Sequence, residues 1–334
     1  MLTTTIWKSA SISLAALVIG GSAMAQNVSF LNMGTVPSAS GQFAYFVSLS
    51  QAIEVGTDGM VQATVVETGS SVDNLRRMRR NELDFGVATV DIVGQSVRGS
   101  GVFADSEAWP DVRTLFVYQV VPIIYAVRED SGIQGVEDLD GKRINPGSPG
   151  TATSVQTQDV LNILGVKPDY YTATVGEAAA AIRNGEIHGY AKTASALDVY
   201  DSTFQEISTA VPLRALSFST EHIERVREQF PEYATATVPG NIYSGQDDPF
   251  LTYAVAPGLV TTKDLLSDDD AYRIVKATFE QKQIQIEAFP PVSNSDFVEL
   301  TMSLSAAPLH SGAVRYFREI GANIPEHLIP PEVD

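Results

Sequence analysis

A short apolar run, a small polar loop and a helical apolar stretch follow one another repeatedly along this chain, and that order restricts its fold more than any single residue does. Val28 to Asn32 has strand character and runs into the loop Gly34 to Gly41, after which apolar residues extend from Phe43 to Ile53. Gln62 to Glu67 repeats the strand, Gly69-Ser70-Ser71 the loop, and Val72, Leu75 and Met78 fall at helical spacing. Phe85 to Ala88 reads as another buried strand with a helix from Val90. Strands separated by helices predict a parallel or mixed sheet covered on both faces.

The pattern then restarts. Ile123 to Val127 and Lys142 to Asn145 read as strands, and the loop Pro146 to Thr151 opens a helix carrying Val155, Leu161 and Leu164. Thr174-Val175-Gly176-Glu177 fits a capping box ahead of a helix at Ala178 to Ile182, with the next strand at Gly189 to Lys192. Short strands return between Thr252 and Thr262, one long helix is predicted from Asp268 to Ala288, and another from Ser311 to Gly321. Two lobes are expected: residues 26–120 as the first part of lobe I, 121–250 as lobe II, and 251–334 returning to lobe I with the C-terminal helices.

Residues 1–25 carry a different signal. Lys8, the apolar stretch Ala10 to Gly20 and Ala23-Met24-Ala25 before Gln26 read as a cleavable signal peptide, which predicts export to the periplasm. No second apolar run approaches the ~20 residues that span a bilayer. The chain has no cysteine, which excludes disulfide staples, a zinc ribbon and a thiol nucleophile. Lys and Arg number 22 against 40 Asp and Glu, a formal net charge of −18 that argues against a nucleic-acid partner. Any bound anion therefore has to be held by local dipoles or a few well-placed cations.

Two loop-to-helix junctions are candidates for that task, Gly69-Ser70-Ser71-Val72-Asp73-Asn74 and Gly147-Ser148-Pro149-Gly150-Thr151-Ala152-Thr153. Unpaired N–H groups and the positive dipole end suit a carboxylate there. Ser71 and Thr151 are also plain N-cap residues, but one such junction in each lobe favours a cleft. Asn145 to Gly150 lacks the Lys-Ser/Thr ending of a phosphate loop. Arg76-Arg77-Met78-Arg79-Arg80 reads as a solvated helix face, and Asp268-Asp269-Asp270 as helix capping rather than a cation site. His188, His222, His310 and His327 form no H-E-x-x-H pair, and no G-x-S-x-G elbow is present. No enzyme activity, cofactor or metal is expected, although an unrecognised acid pair leaves an exported hydrolase as an alternative.

Pro308-Leu309-His310-Ser311-Gly312-Ala313-Val314-Arg315-Tyr316-Phe317-Arg318-Glu319-Ile320-Gly321 resembles the C-terminal signature of the TAXI family, the substrate-binding receptors of TRAP transporters. Thr68 to Leu75 is similar to that family's Gly-Ser-Val-Glu-Asn segment. Asp130 to Ile133 through Asp138 to Ile144 is similar to its second-lobe entry, and Val238 to Gln246 to a further shared stretch. The resemblance runs from Gly34 to Gly321. It implies a type II periplasmic binding protein, an α/β fold with two lobes around a hinged cleft that holds a small organic anion, such as a dicarboxylate, a 2-oxo acid or an acidic amino acid. By position it implies contacts from Thr35, from Ser38, Ser40 and Phe43 of the first loop, from Ser71, Asn74 and Asp91, and from Ser148, Gly150, Thr151 and Thr153. Two departures bear on the ligand. The family's Gly-Thr-Gly-rich first loop ending in Tyr-Tyr is replaced by Val36-Pro37-Ser38-Ala39-Ser40 and Phe43-Ala44, and its Gly-x-Pro after the lobe-two strand by Lys192-Thr193-Ala194-Ser195. Lys192 either supplies a cation to the ligand or is simply exposed. The implied partners are the anion and TRAP membrane permease subunits; the alternative is a receptor for aromatic or vitamin-precursor ligands serving an ABC importer.

Overall fold

The alternating segments fold into two sheets. A computed structural model describes residue 1 and residues 28–333 apart from 39, 231, 244 and 245; the expected signal peptide lies outside the described residues. The first lobe begins with β1 (Ser29–Gly34), α1 (Phe43–Gly56), β2 (Val61–Val66), α2 (Ser71–Arg79), β3 (Phe85–Thr89), α3 (Val90–Arg98) and β4 (Val112–Val117). Tyr45, Phe46, Leu49, Ala52 and Ile53 make one buried stripe on α1, and Val72, Leu75 and Met78 make another on α2. At the end of α2 the arginines point outward: Arg79 lies 4.8 Å over the Trp109 ring, and the C-cap Arg80 pairs with Glu82 at 2.5 Å.

Lobe two contains β5 (Val121–Arg128), β6 (Arg143–Asn145), α4 (Ala152–Leu164), β7 (Asp169–Tyr170), α5 (Val175–Arg183), β8 (Gly189–Thr193), α6 (Ser202–Ser208), β9 (Leu213–Ala215), α7 (Thr220–Arg227), β10 (Ala234–Val238) and β11 (Phe250–Val255). The chain then returns through β12 (Pro257–Thr262), α8 (Asp268–Glu280), α9 (Lys282–Ala288), α10 (Phe297–Leu304) and α11 (Ser311–Glu319). The first sheet has the order β2-β1-β3-β12-β4, and the second the order β10-β11-β5-β8-β6-β7 with β9 also on β5. Parallel pairing joins β1 to β2 and β3, and β6 to β7 and β8; β12 and β5 run antiparallel to their neighbours.

The lobes are joined by two crossings that lie side by side. One is Tyr118-Gln119-Val120 between β4 and β5, the other Ala256 between β11 and β12; Val117 pairs with Gly258 below them and Val121 with Val255 above. The Tyr118 N–H donates to the Pro257 carbonyl at 3.1 Å, and the Val90 N–H to the Ala256 carbonyl at 3.0 Å. A single apolar cluster continues across this boundary, from Ile92 and Val93 of α3 to Tyr233, Tyr253 and Val255.

The long helix predicted from Asp268 to Ala288 is two helices, broken at Gln281 (φ −100°, ψ 28°). The Gln285 side-chain amide donates to the Thr278 carbonyl at 2.6 Å and so satisfies a group released by the break. Asp268, Asp269 and Asp270 occupy the first turn of α8 behind the N-cap Ser267, where the dipole favours them. Arg315 binds Asp269 at 2.9 Å, and the Ser29 hydroxyl donates to Asp270 at 3.0 Å. His310 caps α11 by accepting the Gly312 N–H at Nδ1, and burial keeps its pKa below the ordinary value. No helix among the described residues is long and apolar enough to cross a membrane.

Candidate functional site: the cleft between the lobes

Strands β1, β3, β6 and β8 end on the same cleft, in keeping with α/β sheets that gather ligand-binding loops at their carboxyl ends. Lobe one supplies Val36, Pro37, Ser40, Gly41 and Gln42 from the loop after β1, Ser70 and Ser71 from the start of α2, and Val87 and Thr89 from β3. From lobe two come residues of the loop that opens α4, the side of Val175, and Tyr190 to Ser195 at the end of β8; Val255 and Pro257 form the floor at the crossings. The cavity volume is about 110 Å³, the scale of a small molecule.

Hydrogen bonding leaves this lining rich in donors. Ser71 Oγ accepts the Thr89 N–H at 3.2 Å and Ser40 Oγ the Gln42 N–H at 3.3 Å, and neither O–H has an acceptor among the described residues. Thr89 Oγ1 is buried and turned to the Asp91 carboxyl, whose pKa its hydroxyl lowers. Thr153 and Thr193 bond to each other through their hydroxyls, so one of the two retains a proton to donate. Thr151 differs. Its O–H donates to the Ser148 carbonyl at 2.7 Å and its oxygen accepts the Ser154 N–H at 3.2 Å, so the side chain is fully engaged in capping α4.

Lys192 is the one charged residue among the described residues lining the cleft, with a side chain 14% exposed. Its Nζ donates to Asp201 at 2.6 Å and to the Thr193 carbonyl at 3.2 Å, leaving a third N–H. The cation is therefore neither bare in the cleft nor out in solvent.

Of the residues singled out in the sequence, Ser40, Ser71, Ser148, Thr151, Thr153 and Lys192 are brought together in the lining. Six lie outside it. Thr35 donates to the Val66 carbonyl, and its own carbonyl takes the Thr68 hydroxyl and Asn74 Nδ2. Asn74 also binds the Val87 carbonyl at 2.8 Å, so it ties β1 to β3. Ser38 is exposed and holds Glu67 through its N–H and hydroxyl, lowering the Glu67 pKa. Phe43 packs on the lobe-one core, Gly150 stands at the rim, and Asp91 is buried beneath the start of α3. Burial and, secondarily, the charge of Glu232 raise the Asp91 carboxyl to about 6, against the lowering effect of the Thr89 hydroxyl and the Asp91 and Ile92 N–H groups.

Ser70, Thr89, Thr193, Ser195, Tyr190 and Gln42 complete the polar lining without having been singled out as contacts. Thr89 was accessible in principle, since a threonine between a buried strand and a helix start is itself a strand-to-helix junction. Gln42 was not: it accepts from the Tyr118 hydroxyl at 3.2 Å, a contact between the first loop and a crossing distant in sequence.

The rims approach each other at two points. A Cβ built on Gly41 would lie 3.0 Å from Ser195 Oγ, and one on Gly150 would lie 3.6 Å from the Gly69 carbonyl.

Comparison with solved structures gives the same architecture. XAC2383 from Xanthomonas citri, bound to chloride ion, is 11% identical over 88% of this chain and 96% of its own, with a TM-score of 0.51. A TRAP periplasmic solute binding protein from Sulfitobacter sp. with bound β-D-galacturonate is 13% identical over 88% and 95%, with a TM-score of 0.47. The periplasmic aliphatic sulphonate binding protein SsuA from Escherichia coli is 13% identical over 90% and 94%, with a TM-score of 0.44. At 11% identity the likeness to XAC2383 is one of fold alone. A sequence model of the NMT1-like family matches residues 33–321, both lobes and both crossings together, and the chain belongs to that family.

Proposed function

We propose that this chain is a periplasmic solute-binding receptor that captures a small organic anion by lobe closure and delivers it to the membrane subunits of a TRAP transporter. The observation that carries the reading is the unengaged donors. Ser40, Ser71 and the Thr153–Thr193 pair have protons to give, Lys192 has a third N–H, and no carboxylate is among the described lining residues. Donors without acceptors suit a carboxylate, which only accepts. The starts of α2 and α4 add partial positive charge from opposite walls. Because those walls belong to different lobes, a ligand touching both stabilises the closed arrangement over an open one. The transporter class rests on the TAXI resemblance of Thr68 to Leu75 and Pro308 to Gly321.

A thermal-shift screen of carboxylic acids, followed by calorimetric titration, tests this. An acid at 100 times its dissociation constant is expected to stabilise the folded protein by about 2.7 kcal/mol and to be recovered unchanged. A response to neutral aromatic compounds with none to acids overturns the anion reading, and turnover of the ligand overturns the receptor reading.

A further inference from the structure

Lys192 invites the reading that the cleft is built for strongly charged ligands, but the residue behind it argues otherwise. Asp201 is 1% exposed, and its Oδ2 holds the ammonium at 2.6 Å. Its Oδ1 accepts the Thr203 N–H at 3.0 Å and the Phe204 N–H at 3.4 Å as the N-cap of α6. With both oxygens engaged, this carboxylate is fixed against the cation, and the pair contributes no net charge to the cleft. What remains positive is the two helix starts, each equivalent to about half an elementary charge. The first turn of α4 contains no acid, while that of α2 contains Asp73, which weakens its share.

We infer that the cleft selects ligands bearing one negative charge over otherwise matched ligands bearing two, because Asp201 neutralises Lys192 from inside the wall. This rests on the anion-receptor reading and narrows it. One carboxylate is balanced by the helix starts and the hydroxyl donors. A second enters a partly desolvated cleft with no counter-charge, inside a protein whose formal charge is −18. The rest of the ligand meets Val36, Val87, Val175 and Tyr190, surfaces suited to an apolar or neutral polar body.

The test uses probe pairs that differ only in one carboxylate or carboxamide: succinate and succinamate, 2-oxoglutarate and 2-oxoglutaramate. Calorimetry on the wild-type protein is expected to give at least one pair in which the monoanion binds about tenfold or more tighter than the dianion. Asp201→Asn keeps a capping side chain and unmasks the charge of Lys192, so the preference should shrink or reverse. The double variant Lys192→Gln/Asp201→Asn replaces one neutral pair by another and should retain it. Dianions that bind tighter than their monoamides to the wild type overturn the inference while leaving the anion receptor standing; so does an Asp201→Asn protein with an unaltered ratio. If Asp201→Asn does not fold, as judged by circular dichroism, the double variant decides: preference kept supports the inference, preference lost overturns it. Failure of every acid and monoamide to bind removes the receptor reading itself and the inference with it.

Discussion

Asp91 is 3% exposed, with its carboxyl raised from 3.8 to about 6, chiefly by burial. A raised carboxyl in the folded state means that the folded protein retains a proton the unfolded chain has lost. Its contribution to stability is thus present below pH 3.8 and is lost as the pH rises through about 6. A shift of about two units corresponds to roughly 3 kcal/mol of strain at neutral pH, an order-of-magnitude figure. Asp91→Asn should therefore stabilise the protein by about 1–3 kcal/mol at neutral pH and flatten that part of the stability profile. Urea unfolding across the pH range checks this. Since Asp91 lies outside the lining, ligand affinity should be unchanged; a loss of affinity without a gain in stability would return Asp91 to the ligand. Lys192 illustrates why side-chain roles were hard to read in the sequence. Its chemistry was visible, but its counter-ion belongs to the start of another helix, and nothing in Lys192-Thr193-Ala194-Ser195 points to Asp201.

Among the elements, the crossing of α11 and α8 gives the C-terminal signature a physical meaning. A Cβ on Gly312 would stand 2.3 Å from the Asp268 carbonyl and 2.6 Å from the Tyr272 N–H nitrogen, so the first turn of α11 lies directly on the backbone of α8. Backbone cannot yield as a flexible side chain would. Gly312→Ala is expected to cost about 1–3 kcal/mol or more in chemical unfolding, with ligand affinity preserved. A cost within about 0.5 kcal/mol, the range of ordinary surface changes, would contradict the close packing. Strands and helices that begin at a hydroxyl- or glycine-bearing junction were legible, among them α2, α4 and the Thr174–Glu177 start of α5. The break between α8 and α9 was not, because no glycine or proline marks Gln281 and the compensating bond comes from Gln285. Strand β12 was legible as a strand, but its antiparallel place between β3 and β4 depends on tertiary pairing that local pattern does not encode.

For the molecule as a whole, the proposed closure would turn one lobe against the other about the two crossings, and the rims at Gly41 and Gly150 would then set how far the cleft shuts. Gly41 faces Ser195 across the opening, with only 3.0 Å available to a Cβ. Gly41→Phe should prop the lobes apart. Ligand affinity is expected to fall about tenfold, equivalent to roughly 1.4 kcal/mol, and small-angle scattering should show less ligand-induced compaction than in the wild type. Unchanged affinity with full compaction would mean that these rims do not meet in the bound form. The strand order also dictates when the molecule can come into being. β4 joins the first sheet only through β12, and β12 follows the entire second lobe in the chain. A growing or translocating chain that has delivered every residue up to β11 still holds β3 and β4 apart, with an open edge on each. The N-terminal lobe is thus the first to be made and the last to be sealed, so the final passage of the chain, rather than its beginning, commits that lobe to its native form.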